Sequence, residues 1–169
     1  MESKPRTMPA LSLTQPWAIL VSCGAKLVET RSWSTRYRGQ LAIHAAKGFP
    51  AYARLLSMEA HFWLPLTDAG HSLVQIHRSD RLIHDLPLGA VVAVAQLVDC
   101  VSTETLARTL SGRELAFGDY TKGRHAWVLA DVVALRLPVQ TRGALGLWKL
   151  DEDTYAKVRE ELSCCMPPS

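Results

Sequence analysis

The residues Gly24-Ala25-Lys26-Leu27-Val28-Glu29-Thr30-Arg31-Ser32-Trp33 set two cations, a carboxylate and a tryptophan within eight positions. A glycine stands two residues before the first cation, and Arg36, Tyr37, Arg38 and Gly39 follow at once. Arginine offers a planar fork for phosphate or a base edge, and lysine a compact point charge. Between them Glu29 is an acceptor, either of its own neighbours or of an amino group on a base. So much hydrogen-bonding charge and flat aromatic surface in one hairpin-sized unit suits a polar, planar, anionic ligand: a nucleotide or a nucleic-acid strand.

Each candidate residue has a structural alternative. Lys26 and Arg31 either face a ligand or close an internal ion-pair cluster with Glu29 that pins the hairpin. Base–aromatic stacking contributes about 1–3 kcal/mol, which makes Trp17 and Trp33 candidate platforms. Trp17 sits on an amphipathic helix and reads as core packing; Trp33, between Ser32 and Ser34, is the choice for the surface. Gln15 precedes a helix start, where its amide reads a base edge or caps the helix. His44 alternates with Leu41 and Ile43 on a strand and reads as a ligand contact or a structural histidine. Lys47 is a phosphate contact or a solvated lysine. Trp148, beside Lys149, borders the cleft or belongs to the core. Phe117 to Arg124, which contains Tyr120, is a basic aromatic loop that either closes over a ligand or merely covers the surface. The ligand-facing set is therefore Gln15, Trp17, Lys26, Glu29, Arg31, Ser32, Trp33, Arg38, His44, Lys47, Tyr120 and Trp148.

These residues need elements to hold them. Ala10 to Leu13 alternates as a strand. Pro16 to Cys23 follows as a helix, with Thr14 as its N-cap and Gly24 as its stop. Leu27 to Arg31 is extended, and Leu41 to Ala45 is a strand. Phe49 to Trp63 has the spacing of one helix, with Ala53, Leu56, Ala60 and Trp63 on a face. Leu73, Val74 and Ile76 suggest a further short helix. Ala90 to Val98, rich in β-branched and small residues, is the central strand. Thr103 to Leu110 carries one or two helical turns, and Gly112 to Arg124 reads as loop. Ala126–Leu129 and Val132–Leu135 read as two strands joined at Ala130-Asp131. Gly146 to Leu150 closes the set, and Asp151 caps a last amphipathic helix to Leu162. Short strands, few helices and no βαβ rhythm argue for an α+β, mainly β architecture: a small mixed barrel with helices outside it.

Composition sets the outer bounds. The chain has 169 residues, 48% hydrophobic and 21% charged, which is one domain's worth of sequence. Such a length buries about two-thirds of its unfolded surface. Residues 1–50 carry seven Lys/Arg against two Asp/Glu, and residues 51–169 carry twelve against fourteen. The positive half holds the motif, which favours an anionic partner there. No apolar run reaches the roughly 18 residues that span a bilayer. Met1 to Arg6 lacks the apolar region of a secretory signal, and both ends read as polar tails. Cys23, Cys100, Cys164 and Cys165 form no C-x-x-C pair. The first two read as small core residues, and a reduced, cytoplasmic compartment follows. Phosphate loops, dinucleotide glycine fingerprints, nucleophile elbows and metal-binding helices are missing from the sequence.

Gly24-x-Lys26-x-x-Glu29-x-Arg31 resembles the central motif of the ASCH domain, the activating signal cointegrator homology domain. The resemblance takes in Leu11-Ser12-Leu13, Gln15-Pro16-Trp17-Ala18, Ser32-Trp33, Tyr37-Arg38-Gly39, His44, Lys47, Gly89 and Gly146 to Leu150. It runs over residues 10–150, which leaves residues 1–9 as a tail and residues 151–169 as a C-terminal helix and tail. The resemblance implies a PUA-like small mixed β-barrel with flanking helices, and a cleft lined by the motif beside the first helix. It implies RNA, single-stranded nucleic acid or a modified nucleoside as partner, with no metal or organic cofactor and no membrane. Two further readings come with it. Small members of the family include an amidohydrolase of N4-acetylated cytidine and one described as a ribonuclease; Lys26 and Glu29 would then be catalytic. In the amidohydrolase a threonine stands where this chain has Glu29, and Thr30, one residue on, points to the other face of a strand. The first half is also similar to a domain of the transcriptional cointegrator behind the family's name, which implies a protein-interaction module in coactivation.

Overall fold

Ala90 to Ala95 are all buried, and a valine-rich run with no polar face suits a strand covered on both sides. The computed structural model describes residues 7–75 and 82–165 and places this run at the centre of its sheet. The chain opens with β1 (Pro9–Leu13), α1 (Trp17–Ser22), β2 (Val28–Arg31) and β3 (Gly39–Ala45). Helices α2 (Ala51–Leu56) and α3 (Ala60–Asp68) follow, then a hairpin of β4 (Leu73–Gln75) and β5 (Leu82–His84). Long strands β6 (Ala90–Ser102) and β7 (His125–Gln140) flank α4 (Thr103–Leu106), a 3-10 turn at Ala107–Thr109, and α5 (Gly112–Ala116). Last come β8 (Leu147–Lys149) and α6 (Glu152–Cys165).

Six strands form one curled half-barrel sheet in the order β2-β7-β6-β3-β1-β8. The pairs are antiparallel except β1 with β3, which run parallel. Period-2 alternation sorts side chains between the two faces. Leu11, Leu41, Ile43, Ala93 and Leu129 pack with Ile19, Leu20, Phe62 and Leu66 from α1 and α3. Ala10, Ala42, Val91, Val94 and Leu135 pack instead with Val158 and Leu162 from α6. The C-terminal helix thus packs on the opposite face of the sheet, chiefly against β7. The α+β, PUA-like barrel architecture read from the sequence is the one observed.

Several elements differ from their sequence reading. The stretch Phe49–Trp63 is two helices, because the chain turns at Ser57 to Glu59 before α3 begins. Phe62 and Leu66 become the buried residues of α3, while Ala60 and Trp63 face out. Leu73 and Val74 pair in a hairpin rather than a helix; Ile76 lies outside the described residues, as do Lys4, Arg6 and both chain ends. Part of the supposed loop after Ser111 is helix α5, capped by the Ser111 hydroxyl, which accepts from the Glu114 amide. Residues 125–140 form one strand, not two. Asp131 takes a left-handed φ of 47°, an angle that aspartate tolerates, so the chain kinks there without reversing. Cys23 sits at the surface rather than in the core.

The cap of α1 also comes from another residue. Thr14 makes no cap bond; Gln15, fully buried, accepts from the Ile19 amide at 3.2 Å and donates to the Pro87 carbonyl at 2.7 Å. One side chain thereby satisfies two buried backbone groups. Gln15→Ala leaves both unmet, and the expected loss is about 1–3 kcal/mol, read as a lower urea midpoint with an unchanged slope.

Candidate functional site

Helix α1 ends at Gly24, whose φ of 73° lets the chain turn back on itself. The Lys26 amide then donates to the Leu20 carbonyl at 2.9 Å, which drops Lys26 into the interior. Its side chain is fully buried. The ammonium donates to the Val28 carbonyl and lies 3.5 Å from Glu29 Oε2. Glu29 Oε1 lies 3.1 Å from Arg31 Nε, and Arg31 Nη2 donates to the Ser12 carbonyl at 2.9 Å. The Arg31 Nε–H is not aimed at the Glu29 oxygen, so that pair is Coulombic rather than a directed hydrogen bond. Motif and β1 are thus joined in one relay: Lys26, Glu29, Arg31, Ser12.

The relay forms the wall of a cleft of about 510 Å³. Ser12, Leu13 and Thr14 line it from β1 and the turn after it, and Glu29, Thr30 and Arg31 from β2. Opposite stand Trp17, Tyr52 and Phe62; Phe117, Gly118, Asp119 and Arg124 close the end. Trp17 packs edge-on against Phe62 with centroids 6.0 Å apart and donates from Nε1 to the Phe117 carbonyl at 2.8 Å. The end loop is tied to β2. Asp119 N donates to Thr30 Oγ1 at 3.1 Å, and Arg124 Nη2 donates to the Thr30 carbonyl at 3.3 Å. Both Glu29 and Thr30 reach the cleft because β2 is the edge strand there. Asp119 and Arg124 pair at 3.3 Å. The hydroxyl and amide of Thr121, then the guanidinium of Arg124, hold the Asp119 carboxyl below its usual range.

The two tryptophans exchange the places assigned to them from sequence. Trp17 lines the cleft. Trp33 packs on buried Trp127 with centroids 4.6 Å apart, and its carbonyl accepts from Trp127 Nε1 at 3.2 Å. Ser32 is exposed and Trp33 half-buried, and neither lines the cleft. Arg38 pairs with Asp99 at 2.9 Å, and neither lines the cleft, whose carboxylates are Glu29 and Asp119. Gln15 is spent on the helix cap. Tyr120 folds over Gly118, with its hydroxyl buried and without a hydrogen-bond partner among the described residues. Burial, then the carboxylates of Glu114 and Glu29, push that phenol up. Arg124 and Tyr52 were not singled out from sequence: Arg124 lay in a segment read as loop, and Tyr52 on a helix with no recognisable partner.

His44, Lys47 and Trp148 stand elsewhere, on a second groove or its floor. His44 is buried; its Nε2 lies 3.1 Å from the Thr141 carbonyl, so Nε2 carries the proton. The Ser12 hydroxyl lies 3.1 Å from both His44 Nδ1 and the Ala144 carbonyl, and it accepts from Trp148 Nε1 at 3.1 Å. Among the described residues, no cluster of three or more His, Cys, Asp or Glu gathers as for a metal, and no helix is long and apolar enough to cross a membrane.

Two outcomes follow from these environments. Lys26→Met leaves Glu29 without its buried partner and should cost about 3 kcal/mol or more, with K26M/E29Q recovering part of the loss; paired urea titrations measure both. Burial, opposed by the Thr141 carbonyl, lowers the His44 pKa. The fold therefore favours neutral His44. Its contribution is complete above the ordinary histidine pKa of about 6.5 and is lost as pH falls below it. Denaturation midpoints at pH 7.5 and 5.5 should separate in the parent and draw together in His44→Gln.

Comparison with known proteins accords with this geometry. The human activating signal cointegrator 1 (Homo sapiens) is 33% identical over 153 residues, 90% of this chain; the mouse protein (Mus musculus) is 24% identical over the same length. The match spans 24% of the length of either relative. The crystal structure of the ASCH protein of Zymomonas mobilis superposes with a TM-score of 0.54 at 18% identity, covering 90% of this chain and 94% of that one. A variant of the same bacterial protein gives 0.52 at 17% identity, covering 92% and 98%. These structures bear on the fold alone. The sequence pattern of the ASCH domain matches residues 11–139, and the chain belongs to the ASCH domain family.

Proposed function

We propose that this chain binds RNA, or a nucleotide with a modified base, in the cleft walled by the motif. One observation carries the reading: Arg31, Arg124, Glu29 and Asp119 line one cavity together with Trp17, Tyr52 and Phe62. A volume of about 510 Å³ lies within the usual range for small-molecule sites. Arg31 and Arg124 hold phosphate or carbonyl oxygens, Glu29 accepts from an exocyclic amine, and Trp17 stacks. Lys26 acts from behind by holding Glu29 in place. The association of ASCH domains with RNA supports the same class of ligand.

Hydrolysis of an N4-acylated cytidine, or of RNA, asks Lys26 to meet the substrate. Its ammonium is instead buried and engaged by the Val28 carbonyl and Glu29, an arrangement that favours binding. The experiment is a titration with fluorescent single-stranded RNA at two salt concentrations, comparing the parent with Arg124→Ala and Trp17→Ala. Arg124→Ala should weaken binding and flatten its salt dependence. Trp17→Ala should weaken it by about 1–3 kcal/mol at either salt. RNA should be recovered whole, and acetylcytidine should release no acetate. Product that vanishes with Lys26→Met would make this an enzyme. Binding untouched by either cleft variant would place the RNA outside the motif cleft, and neither binding nor product from the parent would move the function to protein interaction.

A further inference from the structure

A second cavity exceeds the motif cleft in volume. A groove of about 990 Å³ runs between the end of β3, the turn before β6 and the connection from β7 to β8. Among the described residues its charged lining side chains are Lys47 and Arg142, and no carboxylate lines it. Both are exposed, and neither enters an ion pair among the described residues. The motif cleft differs in this respect, since each of its arginines is already matched by a carboxylate. Hydrogen bonds tie the floor of the groove together. Thr141 N donates to the Gly89 carbonyl at 3.0 Å, and the Thr141 carbonyl meets His44. Gly143 lies so close that a Cβ there would fall 2.6 Å from His44 Nδ1 and 2.8 Å from Ser12 Oγ. The loop is therefore packed closely onto His44 and Ser12. At its rim Leu145 is 98% exposed, an apolar side chain beside two cations.

The two cavities meet at one residue. Ser12 lines both: its carbonyl takes the Arg31 guanidinium on the motif side, and its hydroxyl joins His44, Ala144 and Trp148 on the other. We infer that a single nucleic-acid strand with one nucleotide in the motif cleft continues past Ser12 into the second groove, where Lys47 and Arg142 hold its phosphodiesters and Leu145 meets an unstacked base. This rests on the binding reading of the motif cleft. Paired cations suit one oriented nucleotide, whereas unpaired cations on a carboxylate-free wall suit a backbone whose bases vary.

The test compares Lys47→Gln/Arg142→Gln with an equal charge change on other surfaces, Arg108→Gln/Arg159→Gln. Both pairs are exposed, so the fold should survive, and circular dichroism and thermal melts check it. The probes are a fluorescent RNA dinucleotide and an octanucleotide. K47Q/R142Q should weaken the octanucleotide tenfold or more and reduce its log–log salt slope by about 1.4, the loss of two single-strand contacts. The dinucleotide should be unaffected, and R108Q/R159Q should change neither. Equal affinity of K47Q/R142Q and the parent for the octanucleotide overturns the inference. So does an equal loss from both double variants, which is bulk charge. Loss with Arg124→Ala and Trp17→Ala but not K47Q/R142Q would leave the motif cleft standing alone. Loss with K47Q/R142Q but not the cleft variants would end the continuous path and the motif reading together. No binding of either RNA by the parent ends both.

Discussion

A half-barrel has two free edges, and in this protein a side chain spans them. β2 lies at one edge of the sheet, and β1 lies next to the other. β8 covers β1 only from Pro9 to Leu11, so the Ser12 carbonyl has no strand partner on that side. Arg31 at the end of β2 fills the position of the missing strand by donating to that carbonyl. Lys26 and Glu29 make the bridge hold. A guanidinium between sheet edges would swing without a fixed carboxylate, and a nearly buried carboxylate would be costly without a fixed ammonium. The motif is therefore first a clasp. The cleft exists because the seam is closed by side chains at a distance rather than by backbone at strand spacing.

Under the proposed binding role, this arrangement makes ligand recognition and stability share residues. Lys26 is part of the interior, and its effect on any ligand passes through Glu29. Arg124 and Asp119 belong to the loop that closes the end of the cleft, and they reach β2 through Thr30. The charges lining the cleft are thus already oriented by the fold, and preorganised groups lose little freedom on binding.

Much of the fold was legible because its signals are local. Alternation marked β1 and β3, the unbroken β-branched run marked β6, and Asp151 before an amphipathic stretch marked α6. Of the motif, Glu29 and Arg31 line a cavity, while Lys26 is buried behind it. What was not legible depends on distant parts of the chain. Trp17 and Trp33 look alike in sequence; the difference is that the Phe117 carbonyl arrives at one and Trp127 at the other. Arg124 joins the site through a loop whose landing place on Thr30 leaves no trace in residue spacing. The kink at Asp131 resembles a turn, because aspartate serves left-handed bends and reversals equally well. The break between α2 and α3 lacks a proline or glycine to mark it.

The parallel pairing of β1 with β3 has a consequence for how the site comes into being. Parallel neighbours need a crossover, and here the crossover contains α1 and the whole motif. Within it β2 leaves its sequence neighbours and pairs with β7, so that Glu29 stands opposite Trp127 and Arg31 opposite His125. On a chain emerging from the ribosome the motif appears early and its supporting strand late. The clasp cannot shut until nearly the whole domain is available, and contacts this far apart in sequence are slow to form. A chain that presents this cleft has therefore already paired β2 with β7, a strand nearly a hundred residues further along.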